Sequence, residues 1–105
     1  MSDADRTEDT TPSSDTPIVR VLNIVNKKGL HARASAKFVG IVEKFEADVK
    51  VTRGSETVGG DSIMGLMMLG AGLGTSITVA TSGADANAVM DALTELVTNR
   101  FGEED

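Results

Sequence analysis

IVRVLNIVNKKGLHARASAKFVGIVEKF, residues 18–45, holds the transition that sets the fold. Its first eight residues are mostly β-branched and predict a strand over 18–25. Leu22 and Ile24 fall on one face of that strand, Val21 and Val25 on the other, which predicts partial cover on both faces. NKKGL (26–30) breaks the pattern, with Gly29 as the flexible joint. From Ala32 the period changes to that of a helix. Ala34, Phe38, Ile41, Val42 and Phe45 form one apolar stripe, while Lys37, Glu43 and Lys44 fall elsewhere.

Downstream the alternation returns. DVKVTR (48–53) points Val49 and Val51 inward, and Gly54-Ser55 predicts a hairpin into ETV (56–58). SIMGLMML (62–69) is a short apolar helix opened by Ser62, a good N-cap. TSITVAT (75–81) is a strand with Ile77 and Val79 on one face. Ser82 and Asp85 suggest a capping box for a last helix. Its stripe is Ala86, Val89, Met90, Leu93, Leu96 and Val97, and Gly102 is placed to end it. The order is βαββαβα. It predicts an α/β (α+β) open-faced sandwich: a four-stranded, antiparallel sheet with three helices on one face.

The 105 residues make one small domain. Residues 1–17 have no aliphatic side chain larger than alanine except Met1, which predicts a disordered acidic tail ahead of a domain over 18–105. The formal charge of −6 divides accordingly. The tail carries −4, residues 18–102 carry +1, and Glu103, Glu104 and Asp105 carry −3. Four of the nine bases of the body, Lys27, Lys28, Arg33 and Lys37, crowd within eleven residues around His31, the only histidine.

Composition excludes several chemistries. With no cysteine there is no disulfide or thiol chemistry. One histidine cannot build a multi-histidine zinc site, so no metal is expected. Three phenylalanines and no Trp or Tyr make a poor base-stacking surface, so no nucleic-acid partner is expected. No apolar run reaches the roughly 20 residues of a membrane span, and no signal peptide is recognisable. A cytoplasmic monomer without cofactor is the expectation. GAGLG (70–74) lacks the spacing and the following helix of a dinucleotide fingerprint, and turn glycines explain it better. A Ser-His-acid relay is disfavoured, because Ser35 is near His31 but no acid is.

His31 directly precedes a helix, where the first backbone N–H groups lack intrahelical acceptors and present the positive end of the dipole. A phosphate fits there, and Arg33 adds charge-assisted bonds. A neutral imidazole nitrogen is a nucleophile able to take a phosphoryl group. The plainer reading is a polar residue among solubilising bases.

GLHARASAKFV (29–39) resembles the active-site motif of the HPr family, histidine-containing phosphocarriers of the bacterial phosphoenolpyruvate-dependent phosphotransferase system. GGDSIMGLMMLG (59–70) resembles that family's second motif, around a regulatory serine. The likeness covers roughly residues 18–101. It implies that His31 accepts a phosphoryl group on Nδ1 from phosphorylated Enzyme I, with Arg33 contacting the group. It implies onward transfer to a histidine of a IIA-type protein. It further implies that Ser62 is the target of an HPr kinase/phosphorylase, and that Ile63 and Met64 are exposed near His31 as a docking patch, with Lys37 in the same partner surface. One departure stands out: Ala34 occupies a place where the family commonly has proline. Two other readings stay open. One is a regulatory protein of a nitrogen- or carbon-related branch, acting by phosphorylation-dependent binding. The other is a ligand-binding module with an inert His31.

Overall fold

The computed structural model describes residues 16–103. The expected disordered tail lies almost wholly outside them, as do Glu104 and Asp105. The strands are β1 (Ile18–Asn23), β2 (Asp48–Arg53), β3 (Glu56–Gly59) and β4 (Ser76–Ser82). The helices are α1 (Ala32–Val42), α2 (Ile63–Met68) and α3 (Ala86–Thr98), followed by a 3₁₀ turn at Arg100–Gly102. The strands form one sheet in the order β1-β4-β2-β3, and every neighbouring pair is antiparallel.

Register follows from which side chains can be buried. Leu22 pairs with Ile77, and Val51 pairs with both Val79 and Val58. Leu22, Val49, Val51, Ile77 and Val79 project into one core with Phe38, Val42, Leu66, Met90, Leu93 and Val97. The sequence pattern thus selects the face that the helices cover.

The other face of β1 is open. Val19 is 58% exposed and Val21 61%, and Val25 is also exposed, so the expected cover on both faces is absent. All three helices lie on one side of an antiparallel sheet, and such a sheet tolerates a solvated second face. β1 also stops two residues early as a regular strand. Ile24 still pairs with the β4 approach, its N–H donating to Thr75 O at 2.8 Å while its carbonyl accepts from Gly74 N at 3.0 Å.

Two helix-end expectations are corrected. The expected capping box of Ser82 and Asp85 does not form: Ser82 is the last residue of β4 and Asp85 takes the N-cap position of α3, where its Oδ2 accepts the backbone N–H of Glu46 at 2.8 Å and ties the α1–β2 loop to the start of α3. Asp85 makes no side-chain bond to a first-turn amide of α3. Nor does α3 run to Gly102. It ends at Thr98, and the chain then turns through Arg100 (φ 57°), Phe101 (φ 55°) and Gly102 (φ 76°), all left-handed. Phe101, absent from the expected core, is fully buried there. Its burial compensates two non-glycine residues for a backbone conformation that costs about 1–2 kcal/mol each.

Candidate functional site

Gly29 delivers the chain to α1. It sits at φ +65°, and an added Cβ would lie 2.3 Å from the carbonyl oxygen of Ala71. The next residue, Leu30, donates its N–H to that same oxygen at 2.9 Å and buries its side chain. The glycine-rich 70–74 loop is therefore the floor under the start of α1, a structural role consistent with the turn reading.

His31 is the N-cap of α1, with extended backbone (φ −75°, ψ −178°). Its carbonyl accepts from Ser35 N at 2.8 Å, but its side chain makes no cap bond. The imidazole is thus left for other work. The amides of Ala32, Arg33 and Ala34 have no intrahelical acceptor, and no acidic side chain occupies the first turn. Ala34, the residue that departs from the family's proline, is wholly buried. Ser35 is also buried and its Oγ donates to Leu30 O at 3.2 Å, which removes it as a nucleophile beside His31.

A cleft of about 560 Å³ opens at this helix end, lined by Lys27, Lys28, His31, Ala32, Arg33, Lys37, Gly102 and Glu103. All four bases singled out from the sequence converge on it. Lys37 also donates from Nζ to the carbonyl oxygen of Phe101 at 2.6 Å, so one wall of the cleft is tied to α1. Ser62, Ile63 and Met64 do not line it. Ser62 is the N-cap of α2 and Ile63 and Met64 its first residues, and α2 packs against α1. Ser62 Oγ accepts the N–H of Gly65 at 2.9 Å, the N-cap expected. Ile63 is 42% exposed and Met64 69%, while Leu66 and Leu69 fill the core beneath.

The sequence reading missed one member of the site. Glu103 reaches His31: its Oε2 is hydrogen-bonded to Nε2 of the ring. Its Oε1 accepts from Nδ2 of Asn26 at 3.2 Å, and that amide also donates to Gly29 O at 2.9 Å. Asn26 is fully buried. An acid is therefore present at His31, against the expectation that none lies near. It comes from 72 residues away, and sequence distance concealed it. The only available signal was the acidity of the chain's end. The hydrogen bond with His31 holds the Glu103 carboxyl below the usual carboxylate range. The Asn26 amide, the Lys28 ammonium and, when the ring is protonated, the charge of His31 act in the same direction, against desolvation, which pushes it up.

Chemically, the arrangement offers a tetrahedral oxyanion three things: unpaired helix amides, cationic side chains and an imidazole at the rim. Among the described residues no group of three His, Asp or Glu side chains comes together to hold a metal ion, and no helix is long and apolar enough to cross a membrane.

Comparison with known proteins agrees with this geometry. Residues 18–99 match the family model described as the PTS HPr component phosphorylation site. The phosphocarrier protein HPr of Cupriavidus necator is 50% identical over 84 residues, covering 80% of this chain and 94% of that protein. The phosphocarrier protein NPr of Shewanella violacea is 39% identical over 88 residues, covering 84% of this chain and 97% of its own. The crystal structure of HPr-C-His from Thermoanaerobacter tengcongensis superimposes with a TM-score of 0.80 at 36% identity, covering 84% of this chain and 99% of its own.

Proposed function

Because the chain belongs to the HPr family of phosphocarrier proteins, we propose that His31 is its phosphoryl relay, charged by phosphorylated Enzyme I and discharged to a histidine of a IIA-type protein in the cytoplasm. The observation that carries this reading is the position of His31. It caps α1 without using its side chain, at the mouth of a cleft whose other walls supply Arg33, Lys37, Lys28 and the first-turn amides.

The step is a direct displacement. The lone pair of Nδ1 forms a bond to phosphorus as the phosphorus–nitrogen bond of the donor breaks, and the bonding pair returns to the donor nitrogen. Charge on the phosphoryl oxygens is met by helix amides that are already oriented, so little reorganisation accompanies transfer. The Arg33 guanidinium contacts two oxygens at once where a lysine would contact one. The chain is a carrier and not a catalyst: His31 is consumed and regenerated in each cycle.

Regulation belongs to the second motif. Phosphorylation of Ser62 by an HPr kinase/phosphorylase adds about two negative charges at the start of α2. The dipole accommodates them, so the effect falls on docking and not on folding. Ile63 and Met64 provide the adaptable apolar part of that docking surface, and Lys37 a positive part.

A second reading draws on the relative named NPr. On that reading the same phosphorylation controls partner binding in a nitrogen- or carbon-related branch of the system, and sugar uptake is secondary.

Incubation with phosphoenolpyruvate and Enzyme I tests the proposal. The expected product is an acid-labile, base-stable phosphoryl group that His31→Ala does not acquire. Labelling of His31→Ala equal to wild type sinks it. Pulldown partners that depend on phosphorylation, with negligible transfer to any IIA protein, favour the second reading.

A further inference from the structure

The contact between Glu103 and His31 is not accounted for by phosphate binding, since a carboxylate repels a phosphoryl group. Its placement is nevertheless specific. The carboxylate meets Nε2 and leaves Nδ1 unengaged. It is itself fixed on its other oxygen by the buried amide of Asn26. The residues that bring it there are fixed as well. Phe101 is fully buried, its carbonyl is held by Lys37, and Gly102 supplies the left-handed turn that sends residue 103 back over the start of α1. The three-residue end of the fold is thus built to hold one carboxylate on one ring nitrogen.

We propose that Glu103 is a positioning residue for phosphoryl transfer: its carboxylate accepts the Nε2–H of His31, which leaves the Nδ1 lone pair as the free nucleophile, and it offsets the charge the ring gains when Nδ1 bonds phosphorus. This rests on the reading of His31 as the phosphoryl acceptor.

The electron count supports the second role. In the neutral ring the proton sits on Nε2 and the lone pair on Nδ1, because the hydrogen bond made by one nitrogen sets the tautomer at the other. Nδ1 forms the nitrogen–phosphorus bond with that pair, and the donor nitrogen leaves with its own. No proton departs from His31, so the phosphorylated ring carries a positive charge. A carboxylate already in contact with Nε2–H stabilises that charge without moving. On discharge the pair returns to Nδ1 and the ring is neutral again. The arrangement follows the physical logic of an acid that orients a catalytic histidine without itself taking its proton.

The test uses the full chain with ¹⁵N-labelled histidine, as wild type, Glu103→Ala and Glu103→Gln. In the unprotonated wild-type ring, Nδ1 should give the signal of a bare nitrogen and Nε2 that of a protonated one. Glu103→Ala should move both signals toward averaged values. It should also lower kcat for phosphoryl acceptance from Enzyme I about tenfold, the lower end of what such supporting partners of histidine contribute, with KM changed less than about twofold. Glu103→Gln keeps an acceptor but no charge, so it should retain the wild-type tautomer and an intermediate kcat. Ring signals and kcat unchanged in Glu103→Ala overturn the proposal, as does a loss confined to KM, which makes Glu103 a docking residue. If wild type itself accepts no phosphoryl group, the carrier reading fails first; if wild type accepts it and Glu103→Ala is indistinguishable, only this proposal fails.

Discussion

The ammonium of Lys37 donates to the carbonyl oxygen of Phe101 at 2.6 Å, across 64 residues of sequence. This bond joins the helix that carries His31 to the turn that carries Glu103. Phe101 is the anchor of that turn, fully buried although its φ of 55° is unfavourable for its residue type. Packing here overrides local preference, and the consequence is measurable.

Phe101→Ala should therefore lower stability by about 3–5 kcal/mol, the usual cost of emptying a large aromatic site. Urea unfolding followed by circular dichroism measures it. The variant should also lose the Glu103–His31 contact, because the turn loses its anchor, and Phe101→Leu should keep most of both. A loss below about 1 kcal/mol for the alanine variant would show that the turn is not part of the cooperative fold.

Gly29→Ala probes the other side of His31. The position is left-handed, which costs a residue with a Cβ about 1–2 kcal/mol. The new methyl would also lie 2.3 Å from Ala71 O and 2.7 Å from Gly72 Cα, both backbone atoms that cannot rotate away. The 70–74 loop must shift, and the Leu30 N–H to Ala71 O bond with it. A total loss of about 2–4 kcal/mol is expected from the two effects together. Thermal unfolding reads the loss, and slowed phosphoryl acceptance in the surviving folded fraction reads the displacement of His31.

Most of the fold was legible because hydrophobic period and turn chemistry agree along this chain. β2 runs over the expected residues, α1 starts where the pattern changes, and Ser62 caps α2. His31, Arg33, Lys27, Lys28 and Lys37 were legible as a cluster because they are close in sequence and all face one helix end. The misreadings have other causes. Val21 and Val25 look buried because β-branched residues suit a strand whether or not its face is covered. Ser82 and Asp85 look like a capping box, but the partner of the Asp85 carboxylate is a loop amide 39 residues away. Glu103 looks like part of a solvated end, and only the left-handed turn through Phe101 returns it to His31. The last two cases turn on a long-range contact that local pattern does not encode, and the first on a sheet face that no helix covers.

Ser62 separates capping from charge. Ser62→Ala removes the acceptor for Gly65 N–H and should cost about 1 kcal/mol. Ser62→Asp retains an acceptor at the same place and adds a negative charge where a helix N-terminus tolerates it. It should hold wild-type stability within about 0.5 kcal/mol while slowing phosphoryl acceptance from Enzyme I. Equal acceptance rates for Ser62→Asp and wild type would remove the charge-based account of Ser62 regulation. A large drop in stability for Ser62→Asp would do the same, by tracing any slowing to the fold.

The Glu103 contact has a defined pH sign. Its carboxyl is held below the ordinary value, chiefly by the hydrogen bond with His31, so the folded state prefers the ionised form. The stability this contributes is fully present above the unfolded carboxyl pKa of about 4.3. It is lost as pH falls from there through the lower folded value, where the protonated carboxyl ceases to be a charged acceptor. Glu103→Gln lacks the ionisation altogether. The stability difference between wild type and Glu103→Gln should therefore hold at weakly acid pH and close as pH falls below about 4. A ¹³C-detected titration of the Glu103 carboxyl should show a midpoint below that of an exposed glutamate, and His31→Ala should move the midpoint back up. A wild-type midpoint at the ordinary value would mean that the carboxylate does not hold His31 in solution.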